Sequence, residues 1–343
     1  MQKKITKAGD LLDENGYLCE SGYATKLIKT YDRKKIKAGK YRIKEWDYYL
    51  IYNDKYAVAM TIDDNSYMGL DSFTLIDFSK PNETTKSFMK FMTKGKKNFP
   101  ATSKVGNISV NEKKYSMSFV NDGRERVLKA MIKDFQKGKD LVCEFVLTKE
   151  PKDSMVIMTP FLEKKDHFYY NQKIVGFKVT GWVEIGEEKI IFDDSTRGIL
   201  DWGRGVWTYK NTWYWGAGAG VVDGHEVGFN IGYGFGDTSS ASENMLFYDG
   251  KAHKLEDVTF NIPKTKKGKD DFMSPWTFTS SDKRFEMKFT PVINRHSNAN
   301  VIVVSSYQNQ VFGKFAGKIK LDDGQVVKIK NFMGFAEKVV NKW

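Results

Sequence analysis

The sequence predicts an all-β protein built as two related antiparallel barrels. Aromatic and other strand-forming residues outnumber helix formers in most windows of the sequence. Apolar runs recur at the regular spacing of a meandering barrel, with short connections and no long amphipathic helix between them. At 343 residues the chain also exceeds the length at which one hydrophobic core usually stops growing, about 250–300 residues. Two domains are therefore expected.

The first half of the chain supplies a polar arm followed by a series of strands. Residues 1–40 are polar and punctuated by glycine, which indicates an extended arm. Two apolar runs surround an Asn53-Asp54 turn, the pattern of a β-hairpin, and a third run spans 67–78. Segment 79–99 mixes Met and Phe with Lys and predicts a short helical turn. Further strand-like runs lie at 107–110, 115–120, 126–135, 141–147 and 155–158.

The second half of the chain contains a hairpin pattern that repeats one from the first half. The hairpin that begins at Gly181 and the hairpin that begins at Gly317 align without a gap at an offset of 136 residues. This alignment places Asp201 opposite Glu337. Self-similarity at a fixed offset is typical of a duplicated structural unit.

A second, weaker correspondence pairs EWDYY at 45–49 with TWYW at 212–215, and each segment opens a hairpin. Because both correspondences occur in the same order, we expect two related barrels. Their predicted ranges are 1–197 and 198–343. The alternative is that any two antiparallel hairpins look alike.

The densest aromatic stretch of the chain, 198–250, is the expected functional site. Large aromatic faces with a few polar groups among them are typical of a pocket for a small molecule. Asp201 is the expected general acid, because indole rings beside it would exclude water from its charged form and favour the protonated acid. Arg204 and Glu243 would set the charge of Asp201 or orient a ligand. The tryptophans predicted to line the pocket are Trp202, Trp207, Trp213 and Trp215, four of the eight in the chain.

Three further residues are predicted to contact the ligand. Asn244 follows a Ser/Thr-rich loop and precedes a strand, where barrels commonly present ligand contacts. Glu45 and Asp47 are the matching polar residues of the first half. The structural alternatives are that Glu243 and Asn244 cap a loop end, that Lys44 and Glu45 lie on the exposed face of a strand, and that Asp201 pairs with Arg204 to brace the two barrels.

Charge and cysteine content narrow the expected partners. The formal net charge of +12, from 55 Lys and Arg against 43 Asp and Glu, brings nucleic acid and anionic membranes into consideration. However, Lys210 is the only Lys or Arg between Arg204 and Lys251, so the aromatic stretch lacks the cations that phosphates require. We therefore expect no nucleic-acid binding, and no apolar run reaches the roughly 18 residues of a membrane span. Cys19 and Cys143 match no metal or redox spacing, which indicates reduced thiols in a cytoplasmic protein.

No metal or cofactor is expected from the motifs of the chain. Its four histidines show no metal-ligand spacing. The alternating glycines of 216–236 lie within predicted strands rather than at a helix start, so they are expected to make room for bulky rings and not to bind phosphate. No serine or cysteine stands in the setting of a catalytic nucleophile.

Four segments together resemble the bacterial family designated domain of unknown function 2804, and the resemblance runs over nearly the whole chain. The segments are RIKEWDYY, GILDWGRGVWTYKNTWYWGAGAG, SENMLFYDGK and GFAEKVVNKW. The Asp-Trp-Gly followed by Trp-Tyr-Trp-Gly is more distantly similar to the carotenoid 1,2-hydratases and AttH-like proteins.

The distant resemblance implies a tandem of two lipocalin-like (calycin) barrels, in agreement with the internal repeat. In those enzymes an acidic residue beside a Trp-Gly serves acid chemistry on an alkene or polyene, and the matching position here is Asp201. Their His-x-Trp-Gly element is replaced by Trp202-Gly203-Arg204 in this chain, so the resemblance leaves the reaction open.

Two functional hypotheses follow from the sequence. In the first, the protein binds an apolar or amphipathic molecule, such as a lipid or isoprenoid, and catalyses a cofactor-free lyase (hydratase) or isomerase reaction with Asp201 as the acid. In the second, the same pocket belongs to a non-catalytic carrier or sensor, and Asp201 and Arg204 form a structural pair. The sequence names neither the ligand nor the oligomeric state, and a homo-oligomer stays open.

Overall fold

The structure is a computed structural model that describes residues 2–301 and 304–342. Strands dominate this part of the chain, where helix is confined to two short 3₁₀ turns, Arg33–Lys35 and Lys40–Arg42. Within the described ranges, no helix is long and apolar enough to cross a membrane. The predicted all-β class is confirmed.

The strands follow one another with short connections, as the sequence predicted. Those up to the end of the first sheet are β1 (Gly9–Asp10), β2 (Gly22–Ala24), β3 (Lys29–Thr30), β4 (Ile43–Tyr52), β5 (Tyr56–Asp64), β6 (Met68–Asp77), β7 (Asn82–Phe91), β8 (Gly106–Glu112), β9 (Tyr115–Asn121), β10 (Arg126–Gln136), β11 (Lys139–Thr148), β12 (Met155–Phe161), β13 (Lys164–Ile185), β14 (Glu188–Phe192) and β15 (Arg197–Val206). The later strands are β16 (Lys210–Val222), β17 (His225–Tyr233), β18 (Met245–Tyr248), β19 (Lys251–Lys254), β20 (Val258–Asn261), β21 (Trp276–Ser280), β22 (Phe285–Val301), β23 (Val304–Lys320) and β24 (Val326–Lys342).

The strand predictions for the first half are confirmed, with one exception. The hairpin about Asn53 consists of β4 and β5, and the run that follows it is β6. The helical turn predicted within 79–99 is wrong, because this segment contains β7, which pairs along its whole length with β6. Its apolar residues alternate between two faces: the ring of Phe88 stacks on that of Tyr115 at 3.8 Å, whereas Met89 is exposed.

The two large sheets of the described chain share one topology. Neighbouring strands in the first follow the order β7-β6-β5-β4-β15-β13-β11-β10-β9-β8. In addition, β12 and β14 pair with β13, and β2 pairs with β12. The second follows the order β19-β18-β17-β16-β24-β23-β22-β21-β20. In each sheet, four strands that are consecutive in the chain, β4–β7 or β16–β19, form one side, and the first of the four pairs with the last strand of the unit, β15 or β24. On its other side, that last strand pairs with the long strand β13 or β23. Both sheets are antiparallel and curl into barrels, which confirms the predicted tandem of lipocalin-like barrels.

The chain passes from the first sheet to the second at 207–209. β15 pairs with β4 and β13 of the first sheet, whereas β16 begins the second sheet at Lys210. The division into domains at 197/198 stays a prediction, and the change of sheet falls just after β15 rather than before it.

Three hydrophobic clusters fill the interior of the described chain. The first barrel packs around residues such as Phe145, and the second packs around Trp276. The third cluster lies between the two sheets and includes Ile199 and Phe335. All ten residues of β15 are buried, because one face of this strand meets the core of the first barrel and the other meets the second sheet. A strand covered on both faces can direct alternate side chains into two different environments.

Candidate functional site

A cavity of about 200 Å³ lies between the two sheets, beside the apolar cluster that joins them. Strands of both sheets contribute to its lining, so it is a cleft between barrels rather than the interior of one barrel. Its aromatic wall consists of Trp46, Tyr48, Tyr169, Trp207, Trp213, Trp215 and Phe235. Its acidic and basic side chains are Asp63, Lys173, Asp201, Glu243 and Glu337.

The aromatic wall is held by contacts between its own rings. Trp207 packs edge-on against Trp46 at 5.1 Å and against Phe235 at 4.8 Å between ring centroids. Trp46 also stacks parallel to Tyr169, with 6.1 Å between the rings. A β-carbon at Gly203 would lie 1.8 Å from the indole of Trp46, so only glycine at this position allows the ring to lie flat on β15.

Lys173 is the centre of the polar cluster. Its ammonium donates to Asp201 Oδ1 at 3.2 Å and lies 3.7 Å from Glu243 Oε2. It also lies 4.3 Å above the ring of Trp215, a cation–π contact. Asn171 donates from Nδ2 to the same oxygen of Asp201 at 2.6 Å. Asp201 therefore receives a charged donor and a neutral donor, an arrangement that suits a carboxylate.

The carboxyl group of Glu243 is buried on the second-sheet side of the cleft. Burial raises its pKa, although the charge of Lys173 opposes this shift. Gly232 makes room for it, since a β-carbon there would lie 2.9 Å from Glu243 Oε1. Asn230 fixes the segment by donating to the Glu243 carbonyl and accepting from Trp215 Nε1, both at 2.8 Å.

Glu337 is, with Asp63, one of the two carboxyl groups of the cleft whose protonation the site affects most. It accepts hydrogen bonds from Trp213 Nε1 at 3.0 Å, Gln310 Nε2 at 3.1 Å and, more weakly, Gln308 Nε2 at 3.4 Å. Burial raises the pKa of Glu337 to about 7, against the opposing effects of the Trp213 hydrogen bond and the charge of Lys173. Protonated and ionised forms of Glu337 are therefore both populated near neutral pH.

Asp201 and Glu337 occupy equivalent places in the two sheets, which confirms the correspondence predicted from the repeat. Asp201 on β15 has Lys173 of β13 and Tyr48 of β4 as its cross-strand partners. The equivalent partners of Glu337 on β24 are Gln310 of β23 and Trp215 of β16.

Five of the residues predicted for the site meet in the cleft, and Asn244 is not among them. Asn244 Oδ1 accepts from the Gly232 amide at 2.7 Å and its Nδ2 donates to the Glu256 carbonyl at 3.1 Å, so its side chain joins β17 to neighbouring loops. The predicted residues that line the cleft are Asp201, Glu243, Trp207, Trp213 and Trp215.

The predicted pair of Asp201 and Arg204 does not form. Three positions apart on one strand, the two side chains point to opposite faces. Arg204 points into the first barrel, donates to Asp47 Oδ1 at 3.0 Å and lies 4.2 Å from the ring of Trp202. Burial raises the pKa of Asp47, and the charge of Arg204 opposes that shift. Arg204, Asp47 and Trp202 therefore brace the first barrel instead of lining the cleft.

Glu45 also lies inside the first barrel, on the side of β4 away from the cleft. It accepts a hydrogen bond from the hydroxyl of Tyr31 at 2.9 Å and pairs with Arg33. Trp46 and Tyr48, which lie on the other face of β4 from Glu45, line the cleft instead.

Sequence reasoning missed several residues of the cleft, above all Lys173 and Glu337. Glu337 had a signal, because the repeat alignment sets it opposite Asp201. Lys173 had a weaker one: it is a charged residue in the apolar run FYYNQKIVGF of β13. A lysine that is 3% exposed needs a buried partner, and Asp201 supplies it.

The part of the chain that the structure describes contains no group of three His, Cys, Asp or Glu side chains that could hold a metal ion.

The glycines of β16 serve packing, as predicted: a β-carbon at Gly218 would lie 2.9 Å from the ring of Phe229 and 3.0 Å from that of Phe332. The cleft itself brings carboxyl groups and one ammonium together among aromatic rings.

Two barrels of one topology, with a polar cluster in the aromatic cleft between them, define a tandem lipocalin-like protein. The chain belongs to the family described as domain of unknown function (DUF2804), whose model matches residues 2–343. A search of curated proteins returned no match to the sequence.

Two solved structures illustrate the likeness in fold. AttH from Nitrosomonas europaea is 11% identical, with a TM-score of 0.53, and the match covers 90% of this chain and 97% of that one. Kievitone hydratase from Nectria haematococca is 10% identical, with a TM-score of 0.49, and the match covers 88% of each chain. The likeness to AttH concerns the fold.

Proposed function

We propose that the cleft between the barrels binds an apolar or amphipathic small molecule, lipid-like or isoprenoid-like, and acts on it by cofactor-free acid–base chemistry of the lyase or isomerase type. The volume of about 200 Å³ supports binding, since an engineered cavity of about 150 Å³ already admits benzene. The observation that carries the catalytic part is the buried Glu337 carboxyl group, which lies in the same aromatic cleft as the Asp201–Lys173 ion pair.

In this proposal Glu337 is the proton donor and Asp201 the acceptor, which reverses the role that the sequence suggested for Asp201. Glu337 suits the donor role because burial raises its pKa to about 7, close to working pH. Asp201 suits the acceptor role because Lys173 and Asn171 both donate to it.

A hydration illustrates the proton balance. Glu337 would protonate one carbon of a double bond, water would add to the other carbon, and Asp201 would take the released proton. Return of a proton from Asp201 to Glu337 through solvent would complete the cycle. Positive charge that develops on the substrate would face the indole rings of the wall, which attract cations.

The test begins with native mass spectrometry and solvent extraction of the protein purified from its own host. A bound organic molecule that changes tryptophan fluorescence when added back would identify the ligand class. With that ligand, Asp201→Asn is expected to retain binding, and both Asp201→Asn and Glu337→Gln are expected to lower turnover by at least 10²-fold. An empty protein whose fluorescence responds to no lipid or isoprenoid extract would contradict the proposal, since the aromatic cluster would then be a packed core.

A non-catalytic carrier is the second candidate, and one contact favours it. Lys173 of the first sheet reaches Glu243 of the second-sheet side, so the polar cluster also braces the two barrels. A carrier would release its ligand chemically unchanged from the wild-type protein, whereas an enzyme would return a product of different mass or structure. Comparison of the molecule before and after incubation separates the two.

A further inference from the structure

The lining of the cleft carries an excess of acidic groups. Four of its side chains are carboxylic acids and one, Lys173, is basic. Lys173 lies within 4.0 Å of two of these acids, Asp201 and Glu243. Lys97 donates to the backbone carbonyl of Asp63 and forms its ion pair with Asp71, so it affects the Asp63 carboxyl group only through its nearby charge.

Glu337 and Asp63 are acids of the cleft that form no ion pair in the described chain, and Glu337 is the one held by a tryptophan of the wall, Trp213. The charges of Lys173 and Arg295 act on the Glu337 carboxylate only from beyond 4.0 Å. Its hydrogen-bond donors, Trp213, Gln308 and Gln310, are all uncharged. A buried carboxylate without a charged partner favours the approach of a cation.

The aromatic wall around Glu337 suits the same kind of group. Seven rings line the cleft, and ammonium groups are attracted to the faces of such rings within about 6 Å. The protein itself provides an example, because the Lys173 ammonium lies 4.3 Å above the ring of Trp215. The cleft therefore already holds one ammonium on an indole face next to carboxylates.

Asn341 provides a second, independent indication of a polar ligand. It lines the cleft and is 2% exposed, and its Oδ1 has no hydrogen-bond partner among the described residues. It lies four residues beyond Glu337 on the same face of β24, a separation of about 13 Å along the strand. An unpartnered buried acceptor calls for a donor, so a ligand that reaches both groups carries N–H or O–H groups rather than being a pure hydrocarbon.

We infer that the ligand of the cleft is an amphipathic organic ammonium ion, whose protonated amine lies against Glu337 within the aromatic wall and whose body extends toward Asn341. This inference rests on the binding part of the proposed function, because it names the chemical class of the molecule that the cleft binds. A bound ammonium ion would keep Glu337 ionised, so the ammonium ligand is not the molecule that Glu337 protonates. The four carboxyl groups of the lining disfavour an anionic ligand of equal size.

A matched series of probes tests the charge requirement: octylammonium, octanol and octanoate, which share one chain and differ in charge. Isothermal titration calorimetry and tryptophan fluorescence at neutral pH and 0.1 M salt would measure their affinities. We expect octylammonium to bind with one-to-one stoichiometry and at least tenfold more tightly than octanol, with octanoate the weakest.

Variants assign the effect to Glu337. Glu337→Gln is expected to lower the affinity for octylammonium at least tenfold and to leave that for octanol unchanged. Glu184→Gln, an exposed carboxylate on β13 away from the cleft, is the control and should change neither affinity.

The outcomes separate the inference from the proposal on which it rests. Equal binding of octanol and octylammonium by the wild-type protein would overturn the inference and leave the proposed small-molecule cleft standing. Unchanged ammonium preference in Glu337→Gln would likewise overturn it. If none of the three probes binds, both the inference and the proposed function are contradicted.

Discussion

Replacing Lys173 with methionine tests the polar cluster that joins the two barrels. Methionine keeps the unbranched shape of the side chain, one atom shorter, and removes the ammonium that lies 3.2 Å from Asp201 and 3.7 Å from Glu243. The side chains of the three residues are 4%, 13% and 12% exposed, so water replaces the lost partner only in part. Both carboxyl groups would have to take up protons or remain charged without compensation.

The expected loss of unfolding free energy is about 3 kcal/mol. Removal of one partner from a buried ion pair typically costs about 3–5 kcal/mol. We expect the lower end because Asn171 would still donate to Asp201 at 2.6 Å. Urea unfolding followed by tryptophan fluorescence measures the loss, and the emission of the folded state should also change because the ammonium leaves the ring of Trp215.

An exposed lysine provides a matched control. Lys189 lies 4.5 Å over the ring of Trp182 and 4.0 Å from Glu184, but its side chain is 50% exposed. Lys189→Met should therefore change stability by less than about 0.5 kcal/mol. The triple variant Lys173→Met, Asp201→Asn, Glu243→Gln should recover most of the loss, since no uncompensated charge remains. A loss in Lys173→Met no larger than in Lys189→Met would refute the reasoning.

Two further predictions concern the pH response and the aromatic wall. Burial raises the pKa of Glu337 from 4.5 to about 7, so the unfolded chain releases this proton at lower pH than the folded protein does. The wild-type protein should therefore lose about 3 kcal/mol of unfolding free energy relative to Glu337→Gln as pH rises from about 4.5 to 7. Urea unfolding at several pH values measures this loss, and an equal pH dependence in the two proteins would disprove the shift. Gly203→Ala would put a β-carbon 1.8 Å from the indole of Trp46, and we expect a loss of about 1–3 kcal/mol in urea unfolding with an altered tryptophan spectrum. Gly39→Ala, whose β-carbon would meet no atom closer than 3.9 Å, is the control, and equal effects of the two substitutions would count against the close packing.

The fold could be predicted from the sequence because its signals are local. Apolar runs at short intervals define strands such as β4, β5 and β6, and turn residues such as Asn53 define where they reverse. The exception, β7, has mixed Met, Phe and Lys residues because it is an edge strand with one exposed face. A strand of that kind lacks the apolar pattern by which buried strands are recognised.

The site could be predicted only in part because its residues are brought together by two sheets. Asp201 was found through its aromatic neighbours in the sequence, but Trp202 and Arg204 lie on the opposite face of the same strand. Residues adjacent in a strand point to opposite faces of the sheet, whereas residues paired across neighbouring strands lie on the same face. Lys173 is the cross-strand partner of Asp201, and this relation follows from sheet register, which one sequence does not reveal.

The repeated topology explains how one cleft contains two carboxyl groups of different character. Asp201 and Glu337 hold equivalent positions, and both face the cleft. Their difference follows from the equivalent neighbour on the preceding long strand, which is Lys173 beside Asp201 and Gln310 beside Glu337. The ammonium of Lys173 compensates the charge of Asp201. The amide of Gln310 does not compensate the charge of Glu337, so burial is the dominant influence on this group and raises its pKa to about 7. In the proposed function, this lysine-to-glutamine difference between equivalent positions distinguishes the proton acceptor from the proton donor.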